Sequence, residues 1–154
     1  MNDAVEVHRA TLNDIDILAP MFSEYRQFYR QPADIDACAQ FLSERFKHEE
    51  SLAFIATINH QAVGFIHLYP GFSSVYLKPI WTMNDLFVRS IARRKGVGFA
   101  LLDAAKKMAL DSGAILLKLS TEQRNMAAQK VYESKGYRRD NTFHHYILPL
   151  KENL

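Results

Sequence analysis

WTMNDLFVRSIARRKGVGFALLDAAKKMA, residues Trp81 to Ala109, carries a strand, a basic glycine loop and a helix in succession. At period two, Met83, Asp85 and Phe87 are expected on one side of the strand and Asn84, Leu86 and Val88 on the other. Val97, Leu101, Ala104, Ala105 and Met108 then recur at helical spacing and predict an amphipathic helix. Between the two, Arg93-Arg94-Lys95-Gly96-Val97-Gly98 runs three cations into two glycines at the helix mouth. A helix N-terminus offers unpaired N–H groups and the positive end of a dipole. Glycine lets backbone approach a ligand with no Cβ in the way. The combination is a cradle for a phosphate-bearing ligand. The plainer alternative is a tight turn whose cations lie in solvent.

Two phosphate loops are excluded by residues that are missing. A P-loop needs Gly-Lys-Ser/Thr, whereas Phe99 and Ala100 follow Gly98. A dinucleotide fingerprint places a third glycine where Leu101 stands, and it opens the first βαβ unit rather than coming late in the chain.

Working outward, Val5, Val7 and Arg9 sketch a first strand. Ile15, Leu18, Phe22, Tyr25, Phe28 and Tyr29 predict a helix that Gln31-Pro32 ends. A second helix from about Asp34 presents Ile35, Ala39, Leu42 and Phe46, with Cys38 inside it. Leu52 to Ile58 and Ala62 to Leu68 read as a hairpin turning at Asn59-His60-Gln61. Tyr69-Pro70-Gly71 breaks that pattern, and Phe72 to Pro79 reads as an aromatic loop or strand extension. Downstream of Gly113, Ala114 to Leu119 has the length of a buried strand and Asn125 caps a last helix ending at Gly136. Tyr137 onward and His144 to Leu150 read as two further strands. The order β-α-α-β-β-β-α-β-α-β-β predicts an α/β domain with a twisted mixed sheet flanked by about four helices.

The chain is long enough for one domain over 1–154 with a real core. A formal charge of +2 is too small for wholesale nucleic-acid binding; local basicity at Arg89, Arg93, Arg94 and Lys95 suits a small polyanion. The single cysteine, Cys38, cannot form an internal disulfide, which makes a reducing cytoplasm the expected setting. No membrane span and no apolar export segment are apparent. His67, His144 and His145 do not make a metal site: neighbours on a strand face opposite ways and no cysteine cluster completes the set.

A second motif, Asn125-x-x-Ala128-x-x-x-Tyr132-Glu133-x-x-Gly136-Tyr137, follows the loop by about thirty residues. Alone, it is compatible with Tyr132 as an ordinary helix-face core residue. Together with Arg93-x-x-Gly96-x-Gly98 it resembles the GNAT superfamily of acetyl-CoA-dependent N-acetyltransferases, and the resemblance runs the length of the chain. Phe72-Ser73-Ser74, Trp81 through Val88, and Phe143 with Tyr146 are similar to the subgroup acetylating histones, polyamines and other small amines.

The resemblance implies a fold, a co-substrate and roles. Arg93, Arg94, Lys95, Gly96, Val97 and Gly98 would hold the coenzyme pyrophosphate. Leu86, Phe87 and Val88 would splay from strand 115–120 and pair with the pantetheine, with the Val88 amide as oxyanion donor. Asn125 would help hold the pantetheine or the incoming helix, and Tyr132 would protonate the departing thiolate. An alkyl amine with a pKa of about 10 needs a proton acceptor before it can attack. Asp85 is the candidate base; the alternative is a buried structural acceptor.

Tyr25 and Tyr29, four apart on the first helix, with Trp81, Asn84 and Asp85 on the strand, would form an aromatic, acidic cup for a primary amine. The alternative is that all three rings are core. The competing function is a non-catalytic acyl-CoA-binding or sensor module on the same fold. The family pattern further implies a homodimer, while the small net charge and the lack of a span argue against a nucleic-acid or membrane partner.

Overall fold

The computed structural model describes residues 4–154. The chain forms two compact units, one running to Ser120 and the other from Thr121 to Leu154.

The first unit holds β1 (Val5–Arg9), α1 (Ile15–Phe28), α2 (Ile35–Lys47), β2 (Leu52–Ile58), β3 (Gln61–Ser73), β4 (Lys78–Val88), α3 (Val97–Asp111) and β5 (Leu117–Leu119). Its sheet is ordered β1-β2-β3-β4-β5, antiparallel except for the parallel pair β4–β5. Local signals set the boundaries. Thr11 and Asp14 bond reciprocally ahead of α1, Asp34 accepts from the Ala37 N–H to start α2, and Asn59 and His60 take left-handed φ of 51° and 64° to close the β2–β3 turn.

One face of the sheet is covered by α1 and α2, whose Leu18, Met21, Phe22, Cys38 and Leu42 close on Ala53, Ile55, Phe65 and Phe87. The opposite face receives α3 through Val97, Leu101, Leu102, Ala105 and Ala109. The buried stripe of α3 is thus rotated slightly from the expected one: Ala104 and Met108 are only half-buried.

β3 does not stop at Tyr69. It runs through Pro70 and Gly71 to Ser73, because β2 ends opposite Leu68 and a strand with one partner tolerates a residue lacking an N–H. β5 is shorter than expected, and Ile115 and Leu116 are exposed rather than buried; among the described strands it lies at the edge, beside β4.

The expected common face of Met83, Asp85 and Phe87 is overturned. The ladder pairs His67 with Asp85 but Leu68 with Met83, so Asn84 is an extra residue on β4. This bulge reverses the alternation: Asp85 and Phe87 face α1, while Met83 faces α3.

The second unit holds α4 (Met126–Ser134), capped by Asn125 Oδ1 accepting from the Ala128 N–H and followed by Gly136 at φ 91°. The two strands expected after Tyr137 are not formed. Phe143, Tyr146, Ile147, Leu148 and Leu150 are exposed, and the unit contains no strand among the described residues for them to pair with. Apolar pattern supplies a strand's side chains but not its hydrogen-bonding neighbour.

Candidate active site

The ladder between β4 and β5 stops early. Trp81, Thr82 and Met83 pair with Leu117, Lys118 and Leu119, and past Met83 no strand among the described residues pairs with β4 on that side. On its other side β4 stays paired with β3 through Val88 opposite Gly64. The Arg89 N–H donates to Val63 O on β3 at 2.8 Å. Backbone groups alternate along a strand, so the Val88 N–H points to the open edge, as does that of Leu86. An extended chain carrying amides can lie there as a further strand.

That edge runs straight into the basic loop. Arg94 takes a left-handed φ of 63° and Gly96 one of 82°, and Gly96 caps α3. The first intrahelical bond is from the Ala100 N–H to Gly96 O, so the N–H groups of Val97 and Gly98 precede it. A Cβ placed on either Gly96 or Gly98 would meet nothing within 4 Å. The loop is an open shelf at a helix N-terminus, which fits a diphosphate. Arg94 and Lys95 are exposed beside it.

Arg93 and Arg89 are engaged elsewhere. The Arg93 guanidinium lies 6.0 Å from the Phe28 ring. Arg89 bonds Glu24 at 2.8 Å and Ala62 O at 2.9 Å, tying the end of β4 to α1 and β3. Gly64 was not singled out in the sequence, yet it sets this junction: a Cβ there would lie 2.6 Å from Phe87 O. The close approach of two strands leaves no mark in a linear pattern beyond the glycine itself.

On the α1 face, Asp85 is buried. Its Oδ2 lies 2.8 Å from His67 Nδ1, and its Oδ1 accepts from Asn84 Nδ2 at 3.1 Å. His67 is fully buried and its Nε2 lies 2.8 Å from Ser51 Oγ. The Tyr25 hydroxyl donates to Asn84 O at 3.4 Å. Burial first, and the Asp85 charge second, push the Tyr25 phenol far up, so it stays a donor. The same two causes push Tyr69 up to about 12. Tyr29 packs edge-on against Tyr25 with centroids 5.2 Å apart and is itself exposed.

The structure therefore brings Tyr25, Tyr29, Asn84 and Asp85 together on one face. Trp81 does not join them. It pairs with Pro70, on the α3 side of the bulge, and its indole N–H donates to Ser112 Oγ at 2.9 Å.

In the second unit Tyr132 is half-buried on α4, its ring 5.9 Å from that of Tyr137, whose hydroxyl burial pushes up. His144 and His145 lie in an exposed irregular segment, and His67 is committed to Asp85 and Ser51.

The family described as Acetyltransferase (GNAT) matches residues 15–137, most of the chain and both motifs.

The chain belongs to the GNAT family of acetyltransferases.

As a GNAT protein it is an acetyl-CoA-dependent acyltransferase. It is 44% identical to the uncharacterized N-acetyltransferase YhfO of Bacillus subtilis, over 94% of this chain and 97% of that one. It is 28% identical to the D-amino-acid N-acetyltransferase HPA3 of Saccharomyces cerevisiae, over 94% and 91%. A crystal structure of a probable acetyltransferase superposes with a TM-score of 0.90 at 40% identity, covering 96% of this chain and 99% of that one. The GNAT fold accounts for a mixed sheet and four α-helices among the described residues. No helix among the described residues is long and apolar enough to cross a membrane.

Proposed function

We propose that this GNAT protein transfers the acetyl group of acetyl-CoA to a primary amine of a small molecule or peptide, by direct attack within a ternary complex. The observation that carries the reading is the open edge of β4 leading into the Arg94–Gly98 shelf, with Asp85 on the same strand. The co-substrate supplies an acetyl thioester. Leu86 and Val88 would hold its pantetheine arm through their edge-facing backbone, and Arg94, Lys95, Gly96, Val97 and Gly98 its diphosphate.

Asp85 takes a proton from the alkylammonium, freeing the nitrogen lone pair, and the Val88 N–H meets the oxygen that gains charge. Tyr132 gives its hydroxyl proton to the leaving thiolate, a role that rests on the motif alone. Asn125, which caps α4, sets the start of the helix carrying Tyr132. The family match across Ser120 supports treating 1–154 as one functional domain.

For the acceptor, Tyr25 and Tyr29 offer ring faces and Asp85 a negative charge, which favours an amine carrying an ammonium group. A polyamine, a lysine-like amine or an amino acid meets that description; the yeast relative is named for D-amino acids. The exposed apolar tip of the β3–β4 hairpin, Phe72, Val75, Tyr76 and Leu77, supports a homodimer. The lone buried Cys38 supports a reducing, cytoplasmic setting.

The test is a panel of aliphatic amines, amino acids and arylamines with acetyl-CoA, followed by thiol release. Turnover of an aliphatic amine is the expected result. Tight acetyl-CoA binding with no turnover of any amine, peptide termini included, would return the protein to the non-catalytic acyl-CoA-binding reading.

A further inference from the structure

Among the described sheet residues, the buried polar or charged side chains are His67 and Asp85, both on the α1 face. Beneath Phe22 and beside the Phe65–Phe87 pair, a carboxylate, an imidazole and a hydroxyl form a line: Asp85 to His67 at 2.8 Å, His67 to Ser51 at 2.8 Å. Burying polar and charged groups in such a core costs stability even when they are paired, and aliphatic residues of similar volume usually do as well or better. A hydrogen-bonded line of this kind calls for a use.

Its geometry has a direction. A carboxylate only accepts, so the hydrogen shared with Asp85 Oδ2 sits on His67 Nδ1. The neutral ring then accepts at Nε2, and the Ser51 hydroxyl is the donor in place to meet it. The carboxylate therefore selects the tautomer, and Ser51, whose hydroxyl can rotate to donate, satisfies the Nε2 it leaves as acceptor. At the other end, the bulge sets Asn84 beside Asp85, so Oδ1 lies toward an exposed residue while Oδ2 lies toward the core. The Oδ1 atom accepts one amide hydrogen of Asn84, and the Tyr25 hydroxyl also bonds the Asp85 carboxylate.

Resting on the reading of Asp85 as proton acceptor, we infer that His67 and Ser51 are positioning residues for it. The imidazole occupies Oδ2 and fixes the plane of the carboxylate. Proton uptake falls to Oδ1: the N–H bond of the alkylammonium breaks, an O–H bond forms at Oδ1, and the electron pair left on nitrogen forms the new C–N bond. The C–S bond of the thioester breaks, its sulfur takes the Tyr132 proton, and the second nitrogen proton, shed as the amide forms, passes through water to restore the Tyr132 hydroxyl. His67 gains and loses no proton in the step.

Steady-state kinetics of the full chain test this, using acetyl-CoA and the best amine of the panel with Asp85→Asn, His67→Leu, His67→Asn and Ser51→Ala. We expect Asp85→Asn to lower kcat about 100-fold or more. His67→Leu should lower kcat about 10- to 100-fold, with acetyl-CoA affinity and the amine KM within about threefold of wild type. His67→Asn restores an N–H near the Nδ1 position and should bring kcat back to within about fivefold. Ser51→Ala should fall between the two His67 variants.

Retained kcat in Asp85→Asn overturns the base reading itself. An inactive Asp85→Asn alongside wild-type kcat in His67→Leu and Ser51→Ala overturns the positioning role alone. If His67→Leu does not fold, Ser51→Ala at wild-type kcat, or His67→Asn as slow as Asp85→Asn, overturns it equally.

Discussion

Trp81 and Asp85 lie four residues apart on β4 and face opposite sides of the sheet, because Asn84 is an extra residue that β3 does not match. An even spacing on an unbroken strand would have put them on one face. The bulge instead sends the indole to α3 and the carboxylate to α1, separating a ring that packs from a group placed for chemistry.

Trp81→Ala should therefore act on stability. Losing a half-buried ring and its bond to Ser112 should cost about 1–3 kcal/mol and leave the amine KM unchanged. Tyr29→Ala, on the α1 face, should raise the amine KM without moving that for acetyl-CoA. Thermal denaturation and two-substrate kinetics separate the effects, and an amine KM raised by Trp81→Ala would contradict the face assignment.

The loop should bind diphosphate chiefly through backbone. Gly98→Asp adds bulk and negative charge at the mouth of α3, where a Cβ meets open space that the ligand would need. Acetyl-CoA affinity should fall about 100-fold or more. Arg94→Ala removes one exposed charge contact and should cost about 1–2 kcal/mol. Titration calorimetry distinguishes these; unchanged affinity in Gly98→Asp removes the phosphate assignment.

Tyr132→Phe removes a hydroxyl and keeps the ring. If the hydroxyl protonates the thiolate, kcat should fall about 10- to 1000-fold with coenzyme affinity close to wild type. A kcat within about threefold of wild type would leave Tyr132 a packing residue.

Gly64→Ala places a Cβ 2.6 Å from Phe87 O, a backbone atom that cannot swing aside, and also crowds Val97 Cγ1 at 3.2 Å. We expect a loss of about 1–3 kcal/mol together with weaker acetyl-CoA binding, since the strand displaced is the one that offers Val88. Denaturant unfolding and calorimetry on one preparation should show both effects; full stability with full affinity would show that the junction yields freely.

Tyr25 and Tyr69 both hold their protons more tightly in the folded chain, through burial and then the Asp85 charge. The unfolded phenol titrates at about 10. Stability from these groups is thus fully present below that pH and is lost as pH rises through the Tyr69 value of about 12. Phenolate absorbance should show two tyrosines ionising only as the chain unfolds. Tyr69→Phe should move the alkaline unfolding midpoint upward, and a midpoint that stays put would count against the buried setting.

Much of this protein is legible along the chain because its cues are local. Helical spacing, proline after α1, the Asn59-His60 turn, the glycines before α3 and the Asn125 cap each act within a few residues of themselves. The Arg93–Gly98 and Asn125–Tyr137 patterns carried the family for the same reason. The bulge at Asn84, the reach of β3 through Pro70, the parting of β4 from β5 after Met83 and the absence of strands after Tyr137 all depend on which backbone lies alongside. Pairing partners are distant in sequence, so side-chain pattern does not encode them. His67 was legible only as a histidine to be weighed for metal. Its hydrogen bonds to Asp85 and Ser51 exist because two strand positions and the residue just before β2, far apart in the chain, meet in the fold.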